Sequence, residues 1–315
     1  MALTTSTPLR PGSPADRRPP SPRAGRRARS GRRLAPWLFL APALVFFAAF
    51  RFWPTVWGVY LSFFNVRPYL GNQWIGFANY SQAFGDPALR TAVAHTLIDA
   101  AATVAGSALI GFALALLLEG PARHLRLLRT AVFLPVVIAM VAVATLWNAL
   151  LFPSATGAVN SVIGSLGLGP APFLSSPHSA LATIIGIQIW KAAPYDMIIF
   201  VAGLSGIDRE LYEAAALDGV GTVDRLRHIT LPALRPVTTI VLTLGVIRGL
   251  RVFTEINVLT NGGPAGSTQT IVNYTYNQVV VDFDTGYSAA ISTLLLIATV
   301  LLTLGVRKWR AKKDG

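Results

Sequence analysis

The stretch AAATVAGSALIGFALALLL at residues 100–118 contains no charged side chain. Crossing about 30 Å of hydrocarbon takes roughly 20 apolar helical residues, so this stretch predicts a transmembrane helix. Ala102 with Gly106, and Ser107 with Gly111, place small residues four apart. That spacing lets neighbouring helix backbones approach closely, which favours a helix packed in a bundle, although an ordinary alanine-rich membrane helix fits the same pattern.

Five further windows satisfy the same length and polarity criteria. Two of them, at 130–152 and 286–306, contain no charged residue. The sequence therefore predicts an all-α, polytopic membrane protein with a transmembrane domain over 36–306. Its six predicted spans are residues 36–63, 93–118, 130–152, 180–204, 236–259 and 286–306.

The overall composition supports this fold class. The chain is 53% hydrophobic and 13% charged, whereas soluble domains are about a quarter charged. A net charge of +13 would suggest a nucleic-acid partner if it lay on a folded surface, but most of the 27 Lys and Arg residues lie in tails and loops. No nucleic acid is therefore expected as a partner. The absence of cysteine excludes disulfides and thiolate metal sites.

The distribution of basic residues predicts the orientation. Residues 1–35 are rich in Arg, Pro, Ser and Gly, a composition typical of a disordered tail, and residues 307–315 form a second basic tail. Lys and Arg accumulate on cytoplasmic flanks, so both termini are predicted to be cytoplasmic in a bacterial inner membrane. A cleaved signal peptide is the alternative for the first span, but the long apolar run without a convincing cleavage site favours an uncleaved helix.

One predicted inner loop, residues 206–235, is more patterned than a connector. Asp208 is a suitable N-cap for a helix over 209–217, and Gly219 supplies the stop signal. This helix carries a small apolar face that suits docking into a groove on a cytoplasmic partner. The residues of that face are Leu211, Ala214, Ala215 and Leu217.

A second short helix is predicted in the same loop. Thr222 is expected to cap it, and it runs through Ile229. Pro232 is expected to end it, because proline lacks a backbone N–H.

The strings EAAALDG at 213–219 and ITLP at 229–232 resemble the EAA loop of ABC-importer permeases. In that family the short helix is the coupling element gripped by the ATPase subunit. The alternative, an interfacial amphipathic helix without a partner, accounts less well for the fixed offsets. The coupling residues that the resemblance implies are Glu213, Ala214, Ala215, Asp218, Gly219, Leu231 and Pro232.

Other segments resemble the carbohydrate-uptake, maltose-type branch of the same permeases. These are GFANY at 76–80, the R-x-x-x-x-L-P pattern at 129–135, and TNGGP at 260–264 before the last span. The resemblance implies a second homologous permease subunit, two cytoplasmic ATPase subunits and an extracytoplasmic solute-binding protein. No G-x-x-x-x-G-K-[ST] loop occurs in the chain, so ATP and magnesium are expected on the ATPase partners and no cofactor on this chain.

Polar residues inside the predicted fourth and fifth spans are candidates for a solute path, because charges at membrane depth usually face a bundle interior or a water-filled cavity. Arg248, Arg251 and Glu255 share one face of an ideal helix, so the arginines could pair with the carboxylate. Structural ion pairing or snorkelling toward the membrane surface is the alternative. The candidates are Trp190, Lys191, Tyr195, Asp196, Arg248, Arg251, Glu255 and Asn257.

The function predicted from these patterns is that of a permease subunit in an ATP-driven importer of a sugar or sugar-like solute. A disaccharide, an oligosaccharide and glycerol phosphate all remain open. No catalytic carboxylate pair, Ser-His arrangement or metal-ligand spacing of histidines is present, so the chain is not expected to be an enzyme. Two alternatives are a secondary transporter or channel that uses the intramembrane charges, and a non-transporting membrane scaffold.

Overall fold

A computed structural model describes residues 31–67, 71–154 and 157–311 of the chain. Among these described residues, four helices are long and apolar enough to cross a membrane, and the number rises to six if each of two sharply bent helix pairs is one span. This confirms the predicted fold class of a polytopic, all-α membrane protein.

The regular elements of the described residues follow one another in chain order. A short antiparallel pair, β1 (Phe64–Asn65) and β2 (Gln73–Trp74), precedes α3. The helices are α1 Gly31–Phe47, α2 Trp53–Leu61, α3 Ala78–Gly85, α4 Pro87–Leu118, α5 Arg123–Val137, α6 Met140–Leu150, α7 Ala158–Ser165, α8 Ala180–Leu204, α9 Arg209–Leu217, α10 Thr222–Arg225, α11 Leu231–Ala233, α12 Arg235–Gly249, α13 Thr254–Leu259, α14 Ile271–Val280 and α15 Thr285–Ala311.

The chain divides into two compact units, Met1–Val56 and Trp57–Gly315. In the first unit, a wide π-helical turn at Ala48–Phe52 separates α1 from α2. All side chains from 37 to 56 are exposed except the partly buried Ala41, as suits a helix facing lipid. Helix α1 begins inside the predicted tail of residues 1–35, and residues 1–30 lie outside the described part of the chain.

In the second unit, glycines let three long helices approach closely. A Cβ added at Gly111 of α4 would lie 2.8 Å from the carbonyl oxygen of Ala193 on α8. A Cβ added at Gly249 of α12 would lie 2.7 Å from the Cβ of Ala100 on α4. Because real Cβ atoms do not approach this closely, both contacts depend on glycine. The small-residue pattern at 100–118 therefore marks a packed helix.

The predicted third span is broken. Helices α5 and α6 meet at an angle of 93°, and the backbone is extended at Ile138 and Ala139. The predicted span over 130–152 therefore consists of two helices joined at a sharp bend and not of one continuous helix. The break leaves backbone carbonyls at the end of α5 without helical partners, and a side chain from α8 binds two of them, as described below.

The predicted fifth span is also interrupted. Helix α12 ends at Gly249 and α13 begins at Thr254, so 236–259 is not one helix. The longer apolar unit lies further back along the chain, where the helical segment Thr222–Ala233 meets Arg235–Gly249 at 66°. Part of the predicted inner loop therefore belongs to this bent pair.

Motif residues near the first span tie three segments together. The buried Asn79 side chain donates hydrogen bonds to the carbonyls of Ser62 at 2.8 Å and Phe64 at 3.1 Å. Tyr80 shares a 2.6 Å hydrogen bond with the hydroxyl of Ser62. A Cβ added at Gly286 on α15 would clash with the carbonyl oxygen of Phe64. Asn79 and Tyr80 thus fix α3 to the segment after α2, and Gly286 lets α15 approach the same segment.

Helix α15 covers the predicted sixth span at 286–306 and continues to Ala311. It therefore extends into the predicted basic tail of residues 307–315. Residues 312–315 lie outside the described part of the chain.

Candidate solute pathway and coupling segment

A central cavity of about 400 Å³ lies among α4, α8, α12 and α13. Four of the predicted pathway residues line it, namely Lys191, Tyr195, Arg248 and Glu255. Hydroxyl and amide groups from α4 and α8 also face it, and the remaining walls are mainly apolar. These additional polar lining residues are Thr103, Ser107 and Gln188.

An ion pair forms one wall of the central cavity. The guanidinium Nη2 of Arg248 donates to Asp196 Oδ1 at 2.7 Å, and Asp196 is only 1% exposed. The guanidinium also lies over the ring of Tyr195, 5.3 Å from its centroid, which is cation–π geometry. The pairing of a buried carboxylate with a cavity-facing cation satisfies the requirement that charges in a bilayer be partnered.

The pairing of Arg248 and Arg251 with the carboxylate of Glu255, which the spacing suggested, was wrong. It assumed a continuous fifth helix, whereas Arg251 lies in the break after α12 and is exposed. Arg248 turns instead toward Asp196 on α8.

Lys191 binds the broken third span. Its ammonium group donates to the carbonyl oxygens of Pro135 at 2.9 Å and Ile138 at 2.7 Å. These carbonyls lie at the carboxyl end of α5, where the helix dipole is negative and a cation is stabilising. Lys191 therefore caps a half-helix at the edge of the central cavity.

The remaining predicted pathway residues do not line the central cavity. Trp190 makes an edge-to-face contact with Trp147, with ring centroids 5.6 Å apart. Asn257 lies partly buried on α13, and Asp196 reaches the cavity wall only through Arg248. The structure thus brings four of the eight candidates to the cavity and places a fifth, Asp196, directly behind it.

A chain of buried, hydrogen-bonded polar side chains joins α4 to α8, and the sequence patterns did not predict it. Asp99 is completely buried, and its Oδ1 accepts a 3.0 Å hydrogen bond from the amide of Gln188. The Gln188 oxygen accepts from the hydroxyl of Thr103 at 3.3 Å. The available signal was a carboxylate within the longest apolar helix, one residue before the charge-free run.

The predicted coupling helix is confirmed in position and length. Helix α9 spans Arg209–Leu217, with Asp208 as its N-cap residue, although no hydrogen bond from the Asp208 side chain forms. Gly219 follows in a left-handed conformation with a φ of 71°. The N–H of Val220 donates to the carbonyl of Ala215 at 2.9 Å, which closes the helix end as a glycine stop requires.

Most coupling residues are exposed. Ala215 faces the interior and is 8% exposed, whereas Leu217 is 90% exposed. Glu213, Ala214 and Asp218 are also exposed. Most side chains of α9 are therefore accessible at the surface of this chain.

The second helix of the loop differs from its prediction. It begins after Gly221 instead of being capped by Thr222, and it does not stop before Pro232. A π-helical turn at Leu226–Thr230 precedes α11, which contains Leu231 and Pro232. Proline is tolerated there because it occupies the first turn of α11, where a missing N–H costs little.

Contacts within the loop join its two helices. The hydroxyl of Tyr212 on α9 shares a 2.9 Å hydrogen bond with the hydroxyl of the buried Thr230. Leu234, at the bend before α12, belongs to the apolar core that contains Leu204 and Leu118. The hydrogen bond between Tyr212 and Thr230 therefore joins α9 to the helical segment that leads into α12.

At the predicted outer end, one carboxylate binds three elements. Asp86 caps α4, with its Oδ1 accepting from the N–H of Ala88 at 2.8 Å. Its Oδ2 accepts from the hydroxyls of Tyr274 at 2.5 Å and Tyr287 at 2.6 Å. We call these three side chains the Asp86 clasp.

The pKa values of Asp86 and Tyr274 in the clasp are shifted in opposite directions. Burial alone would raise the pKa of Asp86, but the hydrogen bonds from both tyrosines and from backbone N–H groups lower it below its usual 3.8. Burial, together with the neighbouring carboxylate, raises the pKa of Tyr274 well above its usual value. The clasp is thus most stable with Asp86 ionised and the tyrosine protonated.

The helical spans, the central cavity with its few polar and charged side chains, and the exposed helix α9 fit a membrane-embedded transport subunit. Residues 107–311 match the model of the family described as "Binding-protein-dependent transport system inner membrane component". A probable ABC transporter permease protein of Pyrococcus horikoshii is 34% identical over 86% of this chain and 94% of its own length. The chain belongs to this family and is a permease subunit of an ABC importer, not an enzyme.

Two further comparisons agree with this family. The arabinooligosaccharides transport system permease protein of Bacillus subtilis is 31% identical and covers 82% of each chain. The crystal structure of a bacterial ABC transporter involved in the import of the acidic polysaccharide alginate matches with a TM-score of 0.80 and 26% identity. That match covers 90% of this chain and 96% of the other.

Proposed function

We propose that this permease carries a sugar or sugar-like solute through the central cavity. The observation that carries the proposal is the cavity wall formed by the aromatic ring of Tyr195 and the guanidinium of Arg248, which is paired with Asp196. Sugars bind through aromatic faces and through dense hydrogen bonding, and Gln188 and Thr103 supply the latter on the same cavity. The relatives named for arabinooligosaccharides and for alginate support this solute class.

The energy source in this proposal is a partner. Two cytoplasmic ATPase subunits, which hold ATP and magnesium, grip the segment that contains Glu213, Asp218 and Gly219. Closure of these subunits moves α9 and rocks the spans between inward-facing and outward-facing states. Such coupling requires that the partner contact the two states differently. A second, similar permease subunit completes the pore, and both termini lie in the bacterial cytoplasm.

An extracytoplasmic binding protein delivers the solute in this scheme. The family description, which specifies dependence on a binding protein, supports its participation. The identity of the solute within the sugar class is then set jointly by that protein and by the central cavity. Glycerol phosphate remains compatible because Arg248 faces the cavity.

The test is uptake by the complete importer in proteoliposomes with its binding protein. Tyr195→Leu removes the aromatic face, and we expect roughly tenfold slower uptake at limiting solute, since a lost stacking contact of about 1.4 kcal/mol is tenfold. Ile198→Ala is the matched control, because Ile198 lies on the same helix but does not line the cavity. Equal uptake by the two variants would contradict the proposed pathway.

The same assay separates the alternatives. Uptake driven by a proton or sodium gradient without ATP would favour a secondary transporter. ATPase activity that does not respond to the loaded binding protein, in a complex that assembles normally, would favour a scaffold. The proposal expects ATP-dependent uptake and stimulated ATPase activity.

A further inference from the structure

Residues 206–235 are called the coupling segment. A second cavity, of about 710 Å³, lies between this segment and residues of α4, α5 and α8. It shares no described lining residue with the central cavity. Three arginines from three separate helices line it, and we call it the arginine cavity. They are Arg129 on α5, Arg209 on α9 and Arg225 on α10.

The charge of the arginine cavity is not balanced by protein groups. Glu119 is the one carboxylate among its described lining residues. Asp208 and Glu210, the sequence neighbours of Arg209, are exposed and do not line it. Within 31–67, 71–154 and 157–311, none of the three arginines forms an ion pair. Converging cations without counterions repel one another, so this arrangement favours an anionic ligand.

The guanidinium groups retain free donors. Arg129 donates through Nη2 to the carbonyl of Gly120 at 2.7 Å and through Nε to the carbonyl of Leu125 at 3.4 Å. These bonds fix the side chain and leave other N–H groups unused, since arginine has five. The Nε of Arg225 is buried and lacks a hydrogen-bond partner among the described residues. A buried unpaired donor is costly, and an anion accepting from it would remove that cost.

The surroundings of the cavity indicate what carries the anion. Leu117 on α4 and Leu127 on α5 are 73% and 68% exposed, and each lies within two residues of a lining residue. A site that combines convergent arginines with exposed apolar side chains at the end of membrane spans suits an amphipathic ligand. Planar guanidinium groups match phosphate oxygens, and basic pockets beside transmembrane helices bind anionic headgroups.

We propose that the arginine cavity binds a phosphate group, and that an anionic phospholipid supplies it. The occupant would lie against α9 and α10, and so would influence how the coupling segment is held. This proposal does not depend on which solute the central cavity carries.

The experiment measures lipid retained by the intact importer. The complex, with its partner subunits, is reconstituted in phosphatidylcholine with or without phosphatidylglycerol, then extracted and examined by native mass spectrometry. We expect phosphatidylglycerol to be retained by the unaltered complex and retained roughly tenfold less by Arg225→Gln, because the neutral glutamine cannot donate a charge-assisted hydrogen bond to the phosphate. Arg227→Gln is the control, since Arg227 is exposed and does not line the cavity.

Each outcome decides between specific readings. Loss of phosphatidylglycerol in Arg225→Gln but not in Arg227→Gln, with no displacement by inorganic phosphate, supports the lipid. Displacement by millimolar inorganic phosphate retains the phosphate site and assigns it to a soluble ligand. Equal retention in both variants and in the unaltered complex overturns the proposal. If Arg225→Gln fails to assemble, Arg209→Gln supplies the same comparison at a second lining residue.

Discussion

The central cavity and the coupling segment satisfy their charged groups in opposite ways. In the central cavity, Asp196 is buried and finds its partner in Arg248 on another helix. In the coupling segment, Glu213 and Asp218 are exposed, and Leu217 is 90% exposed. The cavity wall is therefore completed by a contact within the chain, whereas the carboxylates of the segment are left exposed and are available to the proposed ATPase partner. Mutations in the central cavity should lower the stability of the fold. Mutations in the coupling segment should instead impair the coupling of ATP hydrolysis to transport.

The largest effect on stability is expected for Arg248→Met. This change leaves Asp196 buried without a counterion, which costs about 3 kcal/mol, the low end for a broken buried pair because Arg248 is 40% exposed. Thermal unfolding of the detergent-solubilised complex should show it. The double variant Arg248→Met with Asp196→Leu should recover much of that loss, and failure to recover would show that the ion pair is not the cause.

A smaller effect is expected for Gly111→Ala. The new methyl group would lie 2.8 Å from the Ala193 carbonyl oxygen, and overpacking of this kind costs about 1 to 3 kcal/mol. Gly186→Ala on α8 is the matched control, because nothing lies within 4 Å of its added Cβ. Alanine favours a helix over glycine by roughly 1 kcal/mol, so the control should be neutral or stabilising. Unfolding shifts of the same sign in both variants would contradict the close packing of α4 on α8.

The Asp86 clasp predicts a difference confined to acidic pH. Because its folded pKa lies below the usual 3.8, the ionised carboxylate contributes stability that is present above that value and is lost as pH falls through the lowered folded pKa. Stability of Asp86→Asn should therefore start lower near neutral pH and fall less steeply below about pH 4. Asp224→Asn, at an exposed site on α10, serves as a control outside the clasp. Parallel pH profiles for Asp86→Asn and the unaltered chain would argue against the clasp.

The smallest effect on stability, and the largest on transport, is expected for Glu213→Lys. Exposed substitutions usually change stability by less than about 0.5 kcal/mol, so the variant should insert and assemble. Uptake should nevertheless be abolished, because this carboxylate lies on the helix that we propose the ATPase subunit grips. Quantification of membrane-inserted protein alongside uptake measures both effects in one preparation.

The same comparison explains what sequence could and could not predict. The coupling helix is decided by near neighbours, so Asp208 and Gly219 predicted its ends correctly. The prediction that Pro232 ends the second helix was wrong, because a π-helical turn at Leu226–Thr230 is followed directly by α11, which contains Pro232.

The central cavity depends on contacts between residues far apart in the chain. The third span breaks within a uniformly apolar stretch, and its freed carbonyls are bound by Lys191, more than 50 residues later. Likewise, the partner of Arg248 lies on α8 and not one helical turn away. Charge and position in the predicted spans identified these polar residues as candidates. Their hydrogen-bond partners depend on how α4, α8 and α12 pack, including the close approaches at Gly111 and Gly249.

The most direct test of the account is solute-stimulated ATPase activity of the reconstituted importer carrying Glu213→Lys. Asp224→Lys is the control, because it makes the same charge reversal at an exposed site in the same loop, outside the coupling residues. The account predicts that the loaded binding protein stimulates ATPase activity in the control complex and fails to do so in Glu213→Lys. Full stimulation and uptake in Glu213→Lys would show that α9 does not transmit the partner's motion.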